Sequence, residues 1–213
     1  MIVQEISEAV GKGKVKLVKE LVNQAVVDDI PVQSILNEGL ISAMAVVGES
    51  FSQHKIFVPE MLVAARAMTA GLAILEPLMS DQGIETIGKV VIGTVRGDLH
   101  DIGKNLVAMM LKGAGATVYD LGVDVPDINF IQKAEEVGAD IICLSALLTT
   151  TMPAIGDVIK EFEKAGVRDK YCIMIGGAPV NQEYADQVKA DKYSPDANDA
   201  SIKAKDYLLS KKK

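Results

Sequence analysis

Three short stretches carry the residue types that can do chemistry. The first is Gly97-Asp98-Leu99-His100-Asp101-Ile102-Gly103, one imidazole flanked by two carboxylates. The second, Ser145-Ala146-Leu147-Leu148-Thr149-Thr150-Thr151, offers hydroxyls, and the third, Gly176-Gly177-Ala178-Pro179, offers backbone without bulky side chains. A zinc site needs three or four His, Cys or carboxylate ligands, whereas residues 89–213 hold one histidine and no cysteine cluster. Flavin phosphate prefers a Ser, Thr or Gly loop, and Asp98 and Asp101 repel an anion. A receiver domain wants an aspartate ending the third strand, where Ser145 stands. A metal already held by a macrocycle asks less of the protein: one axial histidine and a carboxylate to orient its imidazole. The small residues of the other two stretches leave room for a long organic tail.

Elements must bring these stretches together. Residues 90–95, 117–121, 140–144 and 171–175 are short, β-branched, apolar runs, and helical patterns lie near 103–113, 128–137, 154–165 and 181–189. A weaker strand at 192–194 precedes a final helix. Strands apolar throughout, alternating with helices, predict a parallel sheet covered on both faces. Five of them fit the flavodoxin-like order, an α/β fold whose ligand crevice lies at the carboxyl ends of strands one and three. The three chemical stretches follow strands one, three and four.

Residues 2–79 carry a helical period instead. Val18, Leu21, Val22, Ala25 and Val26 form one stripe, and Asp29 with Pro31 resembles a helix start. Val32, Ile35, Leu36, Leu40, Ala43, Met44 and Val47 form a second stripe, and Met61, Leu62, Ala65, Met68, Leu72 and Leu75 a third, beginning near Pro59. With a short first helix these predict an antiparallel four-helix bundle. The expected organisation is a bundle over 1–80, a linker over 81–88 and a flavodoxin-like domain over 89–213.

A net charge of −7 argues against nucleic acid or an anionic membrane surface as partner. No uninterrupted apolar run reads as long enough to cross a bilayer, and Gln4 and Glu5 stand where a signal peptide needs basic residues. Cys143 and Cys172 read as buried small hydrophobes, and Lys211-Lys212-Lys213 as a solvated tail. A cytoplasmic protein is expected.

Asp98-Leu99-His100-Asp101-Ile102-Gly103 resembles the Asp-x-His-x-x-Gly motif of cobalamin-binding domains in which a protein histidine replaces the cofactor's own base. Methionine synthase, some mutases and the corrinoid proteins of methylamine and methanol methyltransferase systems carry it. Ser145-x-Leu147 and Gly176-Gly177 fall where the family has its later elements. Phe57-Val58-Pro59-Glu60-Met61-Leu62 and Ala64-Ala65-Arg66-Ala67-Met68 resemble the helical cap of the methyl-transfer branch. The resemblance covers nearly the whole chain and is closest to the stand-alone corrinoid proteins.

That resemblance implies the rest. His100 Nε2 would ligate cobalt, and Asp98 would hold the other imidazole nitrogen. Ser145 and Thr149 would contact the buried dimethylbenzimidazole tail, in a pocket lined by Gly176, Gly177 and Ala178. Asp196, with Tyr193 nearby, matches a further family element, Phe57 would pack over the upper corrin face, and Gly97, Leu99, Asp101, Ile102, Gly103 and Leu147 would complete the seat. Where the methionine synthase triad ends in Ser, Thr151 stands here, keeping the hydroxyl and adding a methyl. The implied function is a methyl carrier on cobalamin, passing between cobalt(I) and methylcobalamin. One methyltransferase would load it from a methylated amine, quaternary amine or methanol, a second would unload it to a thiol or tetrahydrofolate, and a reductive activation protein would restore lost cobalt(I). Demethylation would release His100 and let its imidazole take a proton, with Asp98 stabilising the charge. The bundle would act as a mobile cap.

Plainer readings stand beside these. Asp101 can be an anionic residue opening a helix, and Gly103 can serve close helix packing. Ser145, Thr149 and Thr151 can be helix caps, Gly176 and Gly177 a strand-ending turn, and Phe57, Met61 and Met68 bundle core. His54 reads as a surface residue at a helix end, and Gly11, Gly13, Gly113 and Gly115 as helix stops. Two other functions use the same ligand: a cobalamin-sensing regulator and a mutase subunit. A DNA-binding regulator needs a basic helix-turn-helix, whereas residues 1–87 hold 6 Lys/Arg against 11 Asp/Glu. The helical cap argues against the mutase.

Overall fold

The computed structural model describes residues 1–82, 84 and 86–211. Gly83 and Glu85, in the expected linker, and Lys212 and Lys213, in the expected tail, lie outside the described residues. The chain divides into two compact units, Met1–Thr86 with Lys112–Gly115, and Ile87–Leu111 with Ala116–Lys213.

The first unit is helical: α1 (Ile2–Gly11), α2 (Val15–Val27), α3 (Val32–Ser34), α4 (Ser42–Ser52) and α5 (Val58–Asp81). Between α3 and α4 a π-helical stretch, Ile35–Ile41, continues the helix without a break, so the unit has four helical rods. In that stretch the Ser42 hydroxyl donates to the Glu38 carbonyl, and Gly39 lets the backbone approach Ile6. The apolar stripes meet in a core that includes Ile6, Val10, Val18, Val22, Ile35, Leu40, Met61, Met68 and Leu75. Burying each such side chain contributes about 1.5–3 kcal/mol before entropy is counted. Val58–Met79 of α5 has the length and mean hydropathy, 1.5, of a membrane-crossing helix. Its Met61, Ala64, Ala65, Met68, Leu75 and Met79 are buried among the helices of the unit, and core packing accounts for that composition.

The second unit is a parallel sheet of β1 (Lys89–Thr94), β2 (Thr117–Asp120), β3 (Ile141–Ser145), β4 (Cys172–Gly176) and β5 (Lys192–Tyr193), in the order β2-β1-β3-β4-β5. Alternate residues feed two cores. Val91, Ile142, Leu144, Ile173 and Ile175 pack with Phe130 of α7 (Asp127–Val137) and with Ile155, Val158 and Phe162 of α8 (Met152–Lys164). Val90, Ile92, Ile141, Cys143 and Met174 pack with Leu111 of α6 (Ile102–Gly113) and Leu208 of α10 (Ala197–Lys211). Both faces are buried, so the strands have no polar side and read as continuous apolar runs. Both cysteines are buried and free, and burial, chiefly, pushes the Cys172 thiol up to about 11. A short helix α9 (Gln182–Val188) completes the unit.

Neighbouring strands β1 and β3 send their helices to opposite faces, α6 to one and α8 to the other. The chain therefore parts at their carboxyl ends, the switch point at which this topology takes ligands. The loops 95–101 and 146–151 border it.

Candidate functional site

Asp98 organises this edge. It is fully buried and reached by four hydrogen-bond donors. The His100 amide donates to Oδ1 at 3.0 Å and His100 Nδ1 lies 2.7 Å from the same oxygen. Oδ2 accepts the Leu147 amide at 2.7 Å and the Thr151 hydroxyl at 2.6 Å. Burial works to raise the pKa of this carboxyl, and the donors, Thr151 and Leu147 first among them, outweigh it and hold it well below the usual carboxylate range. Asp98 is thus an anion at neutral pH, able only to accept. The imidazole proton must then sit on Nδ1, which leaves the Nε2 lone pair for a metal. The His100 side chain is 48% exposed, and no hydrogen bond engages Nε2 among the described residues.

Thr151 is the first of two residues whose plain reading fails. It stands at the start of α8 but makes no side-chain cap there. Its hydroxyl has one proton, and the charged acceptor at 2.6 Å takes it in preference to the Leu148 carbonyl at 3.0 Å. Replacing Thr151 by valine should keep the shape and remove this bond. We expect the apoprotein to lose about 1–3 kcal/mol in urea unfolding, and Thr151→Ser to lose less than half as much. Equal stability of the valine variant would show that Asp98 does not depend on the hydroxyl.

The second is Gly103, where an added Cβ would meet nothing within 4 Å. Close helix packing is not its reason. The same two loops carry exposed apolar side chains: Leu99 is 72% and Ile102 79% exposed, and Leu147 and Leu148 are exposed as well. Four large apolar side chains around one half-exposed imidazole suit a flat, largely apolar macrocycle far better than a hydrated ion. No cluster of three or more His, Cys, Asp or Glu placed to hold a bare metal occurs among the described residues.

Other expected residues have structural duties. Gly97, at φ +83°, donates its amide to Asp124 Oδ1 at 2.7 Å. Asp101 accepts from the Asn105 amide group one turn on, at 3.0 Å, as a residue opening α6 does. Asp196 Oδ1 accepts the Asp199 amide at 2.9 Å and so caps α10. The Tyr193 carbonyl accepts from Lys203 at 2.7 Å. Ser145 is half-buried at the end of β3, whereas Thr149 and Ala178 are exposed. Gly177 has φ +129°, and a Cβ there would fall 1.8 Å from the Ala146 carbonyl oxygen. Only glycine fits, because the loops after β3 and β4 touch through backbone. A Cβ on Gly176 would lie 3.2 Å from the Ser194 carbonyl oxygen, so the loop after β5 is close as well. Phe57 is not bundle core: it is 65% exposed, unlike Met61 and Met68.

Sequence reasoning missed four residues. Buried Thr94 donates its hydroxyl to the His100 carbonyl at 2.9 Å. Asp124 ties the loop after β2 to Gly97 and, through its amide at 2.9 Å, to the Asp98 carbonyl. Lys104, buried in α6, reaches Asp120 at 2.5 Å and Asn105 at 2.7 Å. Ser194 is the fourth, its side-chain oxygen buried without a hydrogen-bond partner among the described residues. The Lys104-Asn105 pair directly after Gly103 was the available signal for one of them, since a lysine on a helix face otherwise apolar needs a partner.

Residues 88–201 match a family model described as a B12 binding domain, and residues 2–76 match another of the same description. Dimethylamine corrinoid protein 2 of Methanosarcina acetivorans is 45% identical over 212 residues, 99% of this chain and 97% of that one. The dimethylamine corrinoid protein of Methanosarcina barkeri is 43% identical over 208 residues, 97% of each. Among solved structures, the methanol:cobalamin methyltransferase complex MtaBC of Methanosarcina barkeri matches with a TM-score of 0.88 at 29% identity, over 98% of this chain and 80% of that one. A cobalamin-binding protein from Desulfitobacterium hafniense matches at 0.79 and 28% identity, over 96% and 98%. The chain belongs to the family of B12-binding corrinoid proteins.

Proposed function

We propose that the protein carries methyl groups on a corrinoid whose cobalt is ligated by His100. The observation that carries this reading is the imidazole itself, half-exposed, fixed through Nδ1 by an ionised, buried Asp98 and free at Nε2. When bound, the corrinoid supplies a cobalt centre that accepts and gives up a methyl group. His100 Nε2 would hold that centre, Asp98 and Thr151 fix the ring's tautomer, and Leu99, Ile102, Leu147 and Leu148, exposed here, would pack against the bound macrocycle. Asp98, as an anion against Nδ1, would hold the ring's proton on that nitrogen and keep Nε2 available to the cobalt. The helical unit has a B12-binding match of its own, over residues 2–76.

We further propose a methylated amine as methyl donor, dimethylamine in particular. Relatives at 43–45% identity over nearly the full chain are dimethylamine corrinoid proteins, whereas the methanol relative stands at 29%. One methyltransferase loads the carrier and a second unloads it to a thiol or tetrahydrofolate. The test is reconstitution with hydroxocobalamin, reduction to cobalt(I), and addition of a dimethylamine-specific methyltransferase with its substrate. Methylated cofactor should accumulate with dimethylamine and not with methanol and a methanol-specific enzyme. Binding of cobalamin with no methylation by any such enzyme would favour a sensing role and refute the carrier.

A further inference from the structure

Ser194 follows β5, and its side-chain oxygen is buried without a hydrogen-bond partner among the described residues. A buried hydroxyl left unpaired costs about 1–3 kcal/mol, so such a group calls for an explanation. Its neighbours offer none. The Ser194 amide is engaged with the Ile175 carbonyl at 3.1 Å. The Tyr193 carbonyl is taken by Lys203 and the Asp196 carboxylate by the α10 amide. The hydroxyl is thus left without a partner by the groups on either side of it.

Its place in the sheet says what could reach it. Ser194 lies at the same carboxyl edge as His100, three strands over in the order β1-β3-β4-β5. At about 4.8 Å per strand this is roughly 14 Å to the side. Between them stand Gly176 and Gly177, which present no side chain, with Gly176 in backbone contact with Ser194. A macrocycle seated on the exposed His100 cannot also enter a buried position three strands away. The nucleotide tail, narrow and rich in acceptors, can. We infer that the Ser194 hydroxyl donates a hydrogen bond to an acceptor of the corrinoid's nucleotide tail. This rests on the corrinoid reading above and adds a residue to it.

The experiment compares two probes on the whole protein, cobalamin and cobinamide, the latter lacking the nucleotide tail. Ser194→Ala should weaken cobalamin binding roughly ten-fold and leave cobinamide binding unchanged. Apoprotein Tm should stay equal or rise, because alanine removes the unpaired group. Equal losses with both probes, no loss with cobalamin, or a less stable apoprotein would each overturn the assignment. A wild-type protein that binds neither probe would instead overturn the corrinoid reading, and the two failures are thereby distinguishable.

Discussion

Replacing His100 with alanine leaves the reconstituted protein with no protein nitrogen on cobalt. The absorption spectrum should change from that of a histidine-ligated corrinoid to that of one ligated by water or by the cofactor's own base. The effect on affinity should exceed the roughly 10–100-fold that follows loss of a group merely supporting a ligand. The fold should hardly notice. The ring is half-exposed and Asp98 keeps three other donors, so apoprotein stability should fall by no more than about 1 kcal/mol. A large spectral change with a small change in unfolding midpoint separates ligation from a structural role. An unchanged spectrum in the variant would mean that another group holds the metal.

Asp98→Asn should be as damaging for a different reason. The carboxylate accepts on both oxygens, and asparagine can accept on one. If the amide nitrogen replaces Oδ2, it confronts the fixed Leu147 amide. If it replaces Oδ1, it confronts the His100 amide and forces the ring to accept at Nδ1, placing the proton on Nε2 and removing the metal-binding lone pair. Either way the variant loses about 2–4 kcal/mol of stability and about 10–100-fold in corrinoid affinity. The stability difference should also depend on pH. Asp98 titrates lower folded than unfolded, so its contribution is complete above the ordinary carboxylate value of about 4 and is lost as pH falls below it towards the folded value. Urea midpoints of wild type and variant should therefore lie far apart at pH 7 and closer at pH 3. A gap that widens on acidification would reverse the assignment.

How far the sequence announces this site depends on the residue. The strands were legible because a sheet buried on both faces forces apolar residues at every position, as in Val90-Val91-Ile92 and Ile141-Ile142-Cys143-Leu144. The order of strands followed from five parallel strands with intervening helices, and with it the edge on which the loops after strands one and three meet. His100 and Asp98 are two apart in one loop, so their pairing is local and readable. Thr151 was legible only through the family resemblance: three successive threonines satisfy the same residue pattern, and the geometry of the start of α8 brings the third against Asp98 and leaves Thr149 exposed. Asp124 and Thr94 were hidden because polar residues near strand ends look solvated until the backbone groups they serve are known, whereas Lys104 stood out as a lysine on a helix face otherwise apolar. Ser194 gave no signal either, since nothing about a serine in a loop says that it is buried. The π-helical stretch 35–41 escaped because one wider turn barely disturbs an apolar stripe.

The bond between the metal and residue 100 can be observed without any variant. Protein grown with ¹⁵N-histidine, loaded with unlabelled cobalamin and reduced to cobalt(II), should show each cobalt line in its electron paramagnetic resonance spectrum split into a doublet. One spin-½ nitrogen, that of His100, would then lie on the axis. A triplet from the cofactor's own ¹⁴N base, or no nitrogen splitting at all, would contradict ligation by this imidazole and with it the proposed methyl carrier.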